Sequence, residues 1–160
     1  MKPDPKVVGK LQKALSMELA AVNQYMLHIL VAEDWGLEKL AAKMREEMEE
    51  EFGHAQAYAR RIVFLKSDPE LKAAKTPVRA QALSDMFEAD LRDEQDAIQF
   101  YTGAARVADE AGDIGTRDLF ERTALDEEGH MAWLELQLSL LKRMGEPAFI
   151  AMQTGGSDTD

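Results

Sequence analysis

Only three histidines occur in the 160-residue chain, and two of them share a short pattern: Glu51-Phe52-Gly53-His54 and Glu127-Glu128-Gly129-His130. Residues three apart on a helix have Cβ atoms about 5–6 Å apart on one face, so each Glu-x-x-His can offer a carboxylate and an imidazole to one ion. With glutamate at 17 of 160 positions, a single such pair means little. The two pairs, however, belong to a longer correspondence. The interval from Glu51 to Glu127 also carries Glu18 onto Glu94, Tyr25 onto Tyr101, Gly53 onto Gly129 and His54 onto His130. The chain therefore contains an internal repeat, and each half supplies a glutamate followed by Glu-x-Gly-His.

Each of these glutamates continues an apolar stripe of its own helical segment. Glu18 lies in line with Leu11, Leu15, Val22 and Tyr25, and Glu51 with Met44, Met48, Ala55 and Tyr58. Glu94 continues Phe87, Leu91, Ile98 and Tyr101, and Glu127 continues Phe120, Ala124, Met131 and Leu134. Four acids thus point toward one core. Burying carboxylates without compensation costs several kcal/mol each, and no lysine or arginine shares those stripes. Two divalent ions carry the positive charge that four carboxylates require. Oxygen and imidazole ligands suit iron or manganese, with zinc able to occupy the same site. The constellation resembles that of the di-iron and di-manganese carboxylate bundles, and that resemblance implies Glu51 and Glu127 bridging two ions, Glu18 and Glu94 as terminal ligands, and His54 and His130 completing the set. Gly53 and Gly129 predict a close approach by a neighbouring group, since glycine costs about 1 kcal/mol relative to alanine within a helix. The non-enzyme alternative is a helical scaffold whose buried acids are merely hydrogen-bonded.

Other polar and aromatic residues have plainer readings. The run Arg45-Glu46-Glu47-Met48-Glu49-Glu50 reads as a solvated helix face, so Glu46, Glu47 and Glu50 are assigned to the surface, with iron guidance as the minority role. Tyr25, Tyr58, Tyr101 and Trp133 fit core packing, with electron donation to a redox metal as the alternative. Asp90, one turn before Glu94, is a candidate acceptor for a ligand histidine or a surface residue. His28 has no histidine in register and reads as a polar or interface residue.

Helical periodicity predicts the elements that must position these groups: helices over about 5–33, 39–66, 82–111 and 116–143, and a short one over about 147–152. The segment 67–80, with Pro69 and Pro77, is long for a hairpin loop and reads as a crossover running the length of a bundle. The fold class is all-α: an antiparallel four-helix bundle with one long crossover and a short fifth helix. Residues 1–152 form one domain, and 153–160 a flexible tail. A net charge of −11 disfavours nucleic acid. Without cysteine there is no disulfide, thiolate metal site or thiol nucleophile. The amino-terminal residues lack an apolar signal core and no run spans a membrane, so the cytoplasm is the expected location.

The constellation is that of the di-iron and di-manganese carboxylate bundles, and the whole chain resembles a bacterioferritin. "ELAAVNQY", "HAQAYARRIVFL" and "DEEGHMAWLE" carry the resemblance. It implies a ferritin-like fold, a ferroxidase centre with two iron ions per subunit held by Glu18, Glu51, His54, Glu94, Glu127 and His130, and oxidation of Fe(II) by O2 or H2O2. It also implies iron storage as ferric mineral in a 24-subunit shell. Members of that family ligate haem b through a methionine following the second ligand glutamate, where this chain has Phe52. Met48 lies one turn away, roughly 5–6 Å along the axis, so no haem b is expected in a homomer. Haem binding then requires co-assembly with a second bacterioferritin subunit type, and a ferredoxin reductant for iron release is a further implied partner. The enzyme alternative is a small rubrerythrin-like di-iron oxidase or peroxidase without a storage cavity.

Overall fold

The computed structural model of the protein describes residues 2–154, so most of the expected tail lies outside the described residues. Five helices follow one another: α1 (Pro5–Asp34), α2 (Glu38–Phe64), α3 (Leu83–Glu110), α4 (Ile114–Met144) and α5 (Glu146–Gln153). The helix pair α1–α2 packs as one hairpin and α3–α4 as the other, and α5 rests on α4 and α2.

Local sequence explains where the helices start and stop. Asp4 accepts the Lys6 amide hydrogen at 2.8 Å, and Pro5 occupies the first turn of α1, where its missing N–H leaves no bond unmade. Both hairpins then turn in the same way. Gly36 and Gly112 adopt φ of 78° and 72°, the left-handed conformation that ends a helix without a Cβ clash. At the first turn Leu37 N–H donates to Ala32 O and Gly36 N–H to Glu33 O; at the second Asp113 N–H donates to Ala108 O and Gly112 N–H to Asp109 O. The repeat thus extends to the hydrogen bonds of its turns. Helix α4 begins two residues before the expected start because Asp113 caps it, accepting from the Thr116 amide at 3.0 Å and also from Arg61 of α2 at 2.7 Å.

The crossover, residues 65–82, is strapped along α1. The Gln12 side chain donates to Asp68 O and accepts from the Glu70 amide, Ala74 N–H donates to Ser16 O, and Gln24 exchanges two 2.9 Å bonds with the Val78 backbone. Two glutamine amides therefore act as short ladder partners for a segment that has no regular structure of its own.

The apolar core is split in two. One cluster holds Val7, Leu11, Leu15, Tyr58, Ile62, Tyr101 and Phe120, and the other Tyr25, Ile29, Leu40, Met44, Met86, Phe87, Leu134 and Phe149. Every bundle helix contributes to both clusters, and on every one the ligand-type glutamate lies in sequence between its two contributions. Met26 and Leu30 of α1 are about half exposed. That helix carries apolar residues on more than its core face.

Phe149 is the only buried side chain of α5 and meets Phe87 edge-on at 5.9 Å. Replacing a buried Phe with Ala typically costs about 3–5 kcal/mol when the element stays in place. An eight-residue helix with one anchor should undock instead. Phe149→Ala should raise hydrogen exchange in 146–153 while leaving protection of α1–α4 unchanged; a uniform loss of protection would count against this.

Candidate metal centre

Each bundle helix delivers one buried acid to the layer between the core clusters: Glu18 from α1, Glu51 from α2, Glu94 from α3 and Glu127 from α4. The side chains form two overlapping groups, Glu18–Glu51–His54–Glu127 and Glu51–Glu94–Glu127–His130, in each of which the ligand atoms lie within 4.8 Å of one another. Glu51 and Glu127 belong to both groups. His54 Nδ1 lies 3.3 Å from Glu127, 3.6 Å from Glu18 and 3.7 Å from Glu51. His130 Nδ1 lies 3.1 Å from Glu51, 3.6 Å from Glu94 and 3.7 Å from Glu127.

The residues fit a metal pair on a structural test. All six contribute a buried atom with no hydrogen-bond partner: Glu18 Oε2, Glu51 Oε1, His54 Nδ1, Glu94 Oε2, Glu127 Oε1 and His130 Nδ1. Buried polar atoms in folded proteins are normally paired, so six orphans from one layer mark a place for cations.

The outer sides of these ligands are held by partners from the opposite hairpin. His54 Nε2 lies 2.9 Å from Asp126 Oδ2. His130 Nε2 meets Glu50 Oε2 at 2.8 Å and Glu47 Oε2 at 2.6 Å. With Nε2–H donated outward, Nδ1 faces the centre in both rings. The terminal carboxylates are matched in the same crossed fashion: Tyr101 hydroxyl donates to Glu18, and Tyr25 hydroxyl to Glu94 at 3.5 Å.

Several sequence readings change here. Glu47 is buried, not a surface acid, because α4 brings His130 against it and Lys43 Nζ lies 3.0 Å from its other oxygen. Glu46 and Glu50 are exposed as expected, and Glu50 also reaches His130. Asp90 serves no ligand histidine: it is buried and pairs with His28 at 2.8 Å, and His28 is itself fully buried. Gly53 and Gly129 face no group within 4 Å of where a Cβ would stand, so no close approach within the subunit explains them. Tyr58 stacks on Tyr101 and lies tilted against Phe120, and Trp133 sits edge-on to Phe87, in the core clusters either side of the centre. Asp126 was missed, although it occupies the repeat position of Glu50.

The electrostatics follow from packing acids together. Burial pushes the Glu51 and Glu94 carboxyls well above their usual range, and neighbouring acids add to it. Burial opposes ionisation of Glu127 too, but the neighbouring Glu94, His54 and Glu51 outweigh it and bring its pKa down to about 2. For His54 burial disfavours the cation, yet the nearby Glu127 and Glu18 carboxylates win and push it up to about 11. His130 rises for the same reason, through Glu47, Glu51 and Glu94. Burial likewise keeps Tyr25, Tyr58 and Tyr101 neutral. A cavity of about 380 Å³ lies beside the crossover. Lys13, Lys75, Asp93, Asp96 and Phe100 line it, and it reaches Glu18, Glu51, Glu94 and Glu127.

Residues 8–144 match the ferritin-like domain family. The chain is 41% identical to the bacterioferritin of Brucella melitensis over 99% of its own length and 98% of that protein. It is 40% identical to the bacterioferritin of Rhodobacter capsulatus over 99% of its own length and 98% of that protein. The structure of the Rhodobacter capsulatus protein, described with a metal-free dinuclear site and haem iron in a crystallographic special position, superposes with a TM-score of 0.94 over the full length of both chains. That of Mycobacterium tuberculosis bacterioferritin BfrA gives 0.93 at 34% identity, over 97% of this chain and 98% of that one.

With both imidazoles held as cations by the carboxylates, each divalent ion that binds must displace at least one proton. Affinity should therefore fall at least about tenfold for each pH unit lowered between about pH 8 and pH 6, since a proton's free energy changes by 1.36 kcal/mol per unit. Competitive titration with Zn(II), coupled to a pH indicator in weak buffer, measures both affinity and proton release. A pH-independent affinity would contradict the assignment of the two cations.

Proposed function

The chain belongs to the ferritin-like family, and within it to the bacterioferritins, and from that premise we propose that it stores and detoxifies iron by oxidising Fe(II) at the six-residue centre. The observation that carries the proposal is the pair of overlapping four-residue groups, with Glu51 and Glu127 common to both and six orphaned atoms turned to the same layer. In this reading Glu18, Glu51, His54, Glu94, Glu127 and His130 are the metal ligands. Two Fe(II) ions enter as substrate, Glu18 with His54 and Glu94 with His130 hold one each, and the shared carboxylates bridge them. Each Fe(II) gives up one electron. O2 takes the pair with two protons to become H2O2, or H2O2 takes it with two protons to become two waters. The protein supplies charge balance and position, and Tyr101 and Tyr25 steady the terminal carboxylates from behind. Tyr58 and Trp133 are assigned as electron-donor candidates in the flanking core.

The product ferric iron is stored as mineral inside a 24-subunit shell in the cytoplasm. Among the described residues no helix is long and apolar enough to cross a membrane. Full-length likeness to bacterioferritins favours this reading over a small rubrerythrin-like oxidase. Haem b is not expected in shells of this chain alone. Phe52, at the position of the usual methionine, is half exposed and has no ligating atom, while Met48 packs against the core. A second subunit type bearing the methionine, and a ferredoxin that reduces stored iron, are the partners this reading implies.

Two measurements test it. Glu18→Ala and Glu94→Ala should each abolish rapid Fe(II) oxidation in stopped-flow absorbance while the protein still elutes at about twenty-four times the 17.9 kDa subunit mass. Unchanged oxidation in both variants would remove the centre from the mechanism, and elution of wild type as a dimer would remove the shell. Purified homomeric protein should also lack a haem Soret band after incubation with haem; a stoichiometric band would overturn the role given to Phe52.

A further inference from the structure

The repeat reproduces nearly every polar contact around the centre, including Glu50 on His130 and its counterpart Asp126 on His54. It fails at one position. Glu47 falls on Thr123, whose hydroxyl donates to the Leu119 carbonyl of its own helix at 2.9 Å. Among the described residues His130 Nε2 therefore has two carboxylates within 2.8 Å, while His54 Nε2 has Asp126 at 2.9 Å and Glu50 only in the wider 4.8 Å group.

The extra carboxylate is of a different kind from the matched pair. Side-chain exposure is 43% for Glu50 and 49% for Asp126, so water weakens both contacts, but only 5% for Glu47. The Nε2 hydrogen bond goes to Glu50 and Glu47 Oε2 makes a close ion contact with the ring, and a charge contact strengthens as water is excluded. Lys43 Nζ, 3.0 Å from Glu47 Oε1, fixes the far side of the carboxylate and leaves Oε2 for the imidazole at 2.6 Å. A carboxylate on the distal nitrogen holds the ring's orientation and makes Nδ1 a better donor.

Building on the two-ion reading above, we propose that Glu47 is a positioning residue that makes the halves of the centre unequal. By holding His130 it causes the Glu94–His130 half to take the first divalent ion and release it last, with the Glu18–His54 half filling second.

The test uses the full-length assembled protein, stripped of metal and titrated with Co(II). Wild type should show two binding steps per subunit, and at one ion per subunit anomalous density should lie in the Glu94–His130 half. Glu47→Gln, which keeps the volume and removes the charge, should weaken the tighter step by about 10–100-fold, as loss of such outer partners does. Asp126→Asn should weaken only the other step. Equal occupancy of both halves in wild type would overturn the proposal without any variant. So would a Glu47→Gln protein with both steps unchanged, or one with both weakened alike and its metal-free unfolding temperature lowered, the signature of a merely structural role. Wild type that binds fewer than two Co(II) ions per subunit would instead overturn the two-ion reading itself, and this proposal with it.

Discussion

The structure is organised around a layer of four buried carboxylates in the middle of an apolar bundle. Carboxylates packed this closely cannot all ionise without cations beside them. The consequence is visible in the core, which is divided into two clusters with the acids between them on every helix. Each helix must therefore bury an apolar stripe above and below the layer and still present one glutamate at the same height as three others. Rigid packing on both sides is what fixes that height, since close-packed side chains leave little freedom to slide. The helices are long, 27 to 31 residues, because they have to reach both clusters.

The bracing of the layer is crossed between the hairpins. Tyr101 of α3 serves Glu18 of α1 and Tyr25 of α1 serves Glu94 of α3; Glu50 of α2 serves His130 of α4 and Asp126 of α4 serves His54 of α2. Each hairpin thus completes the ligands of the other, and neither has a finished half-site alone. Docking of the hairpins and formation of the centre are the same event in structural terms.

Where the two halves diverge, they do so as packed sets. The buried His28–Asp90 pair at one end of the bundle corresponds in the repeat to Ala104 and Ala14 at the other, and both of those are buried. A polar pair has been exchanged for two small apolar residues together, as expected where removing one partner alone would leave an unpaired buried group. Tyr58, in ring contact with both Tyr101 and Phe120, corresponds to Leu134. One end therefore carries Tyr58 and the other a buried hydrogen-bonded His–Asp pair, although the ligands they flank are matched.

The helices, the crossover and the six candidate ligands were legible in the sequence, because each depends on local information. A stripe at helical spacing states which face is buried, Gly36 and Gly112 end helices by their own backbone preference, and a repeated Glu with Glu-x-Gly-His states its own register. The partners of those ligands depend on which helices meet and at what height, and that is a property of packing alone. Glu47 lies one turn before Glu51 and so was already on the buried face, yet within an acidic run it looked like solvent-facing charge. Only the approach of α4, which places His130 Nε2 against it, decides that it is buried. Asp90 shows the converse: its spacing from Glu94 pointed to a ligand histidine, and the packing of α1 on α3 gave it His28 instead. The chain by itself determined which groups would be driven inside, because burial follows from periodicity. Only the tertiary structure decided which of them face one another, because that is set by contacts between side chains more than sixty positions apart in sequence.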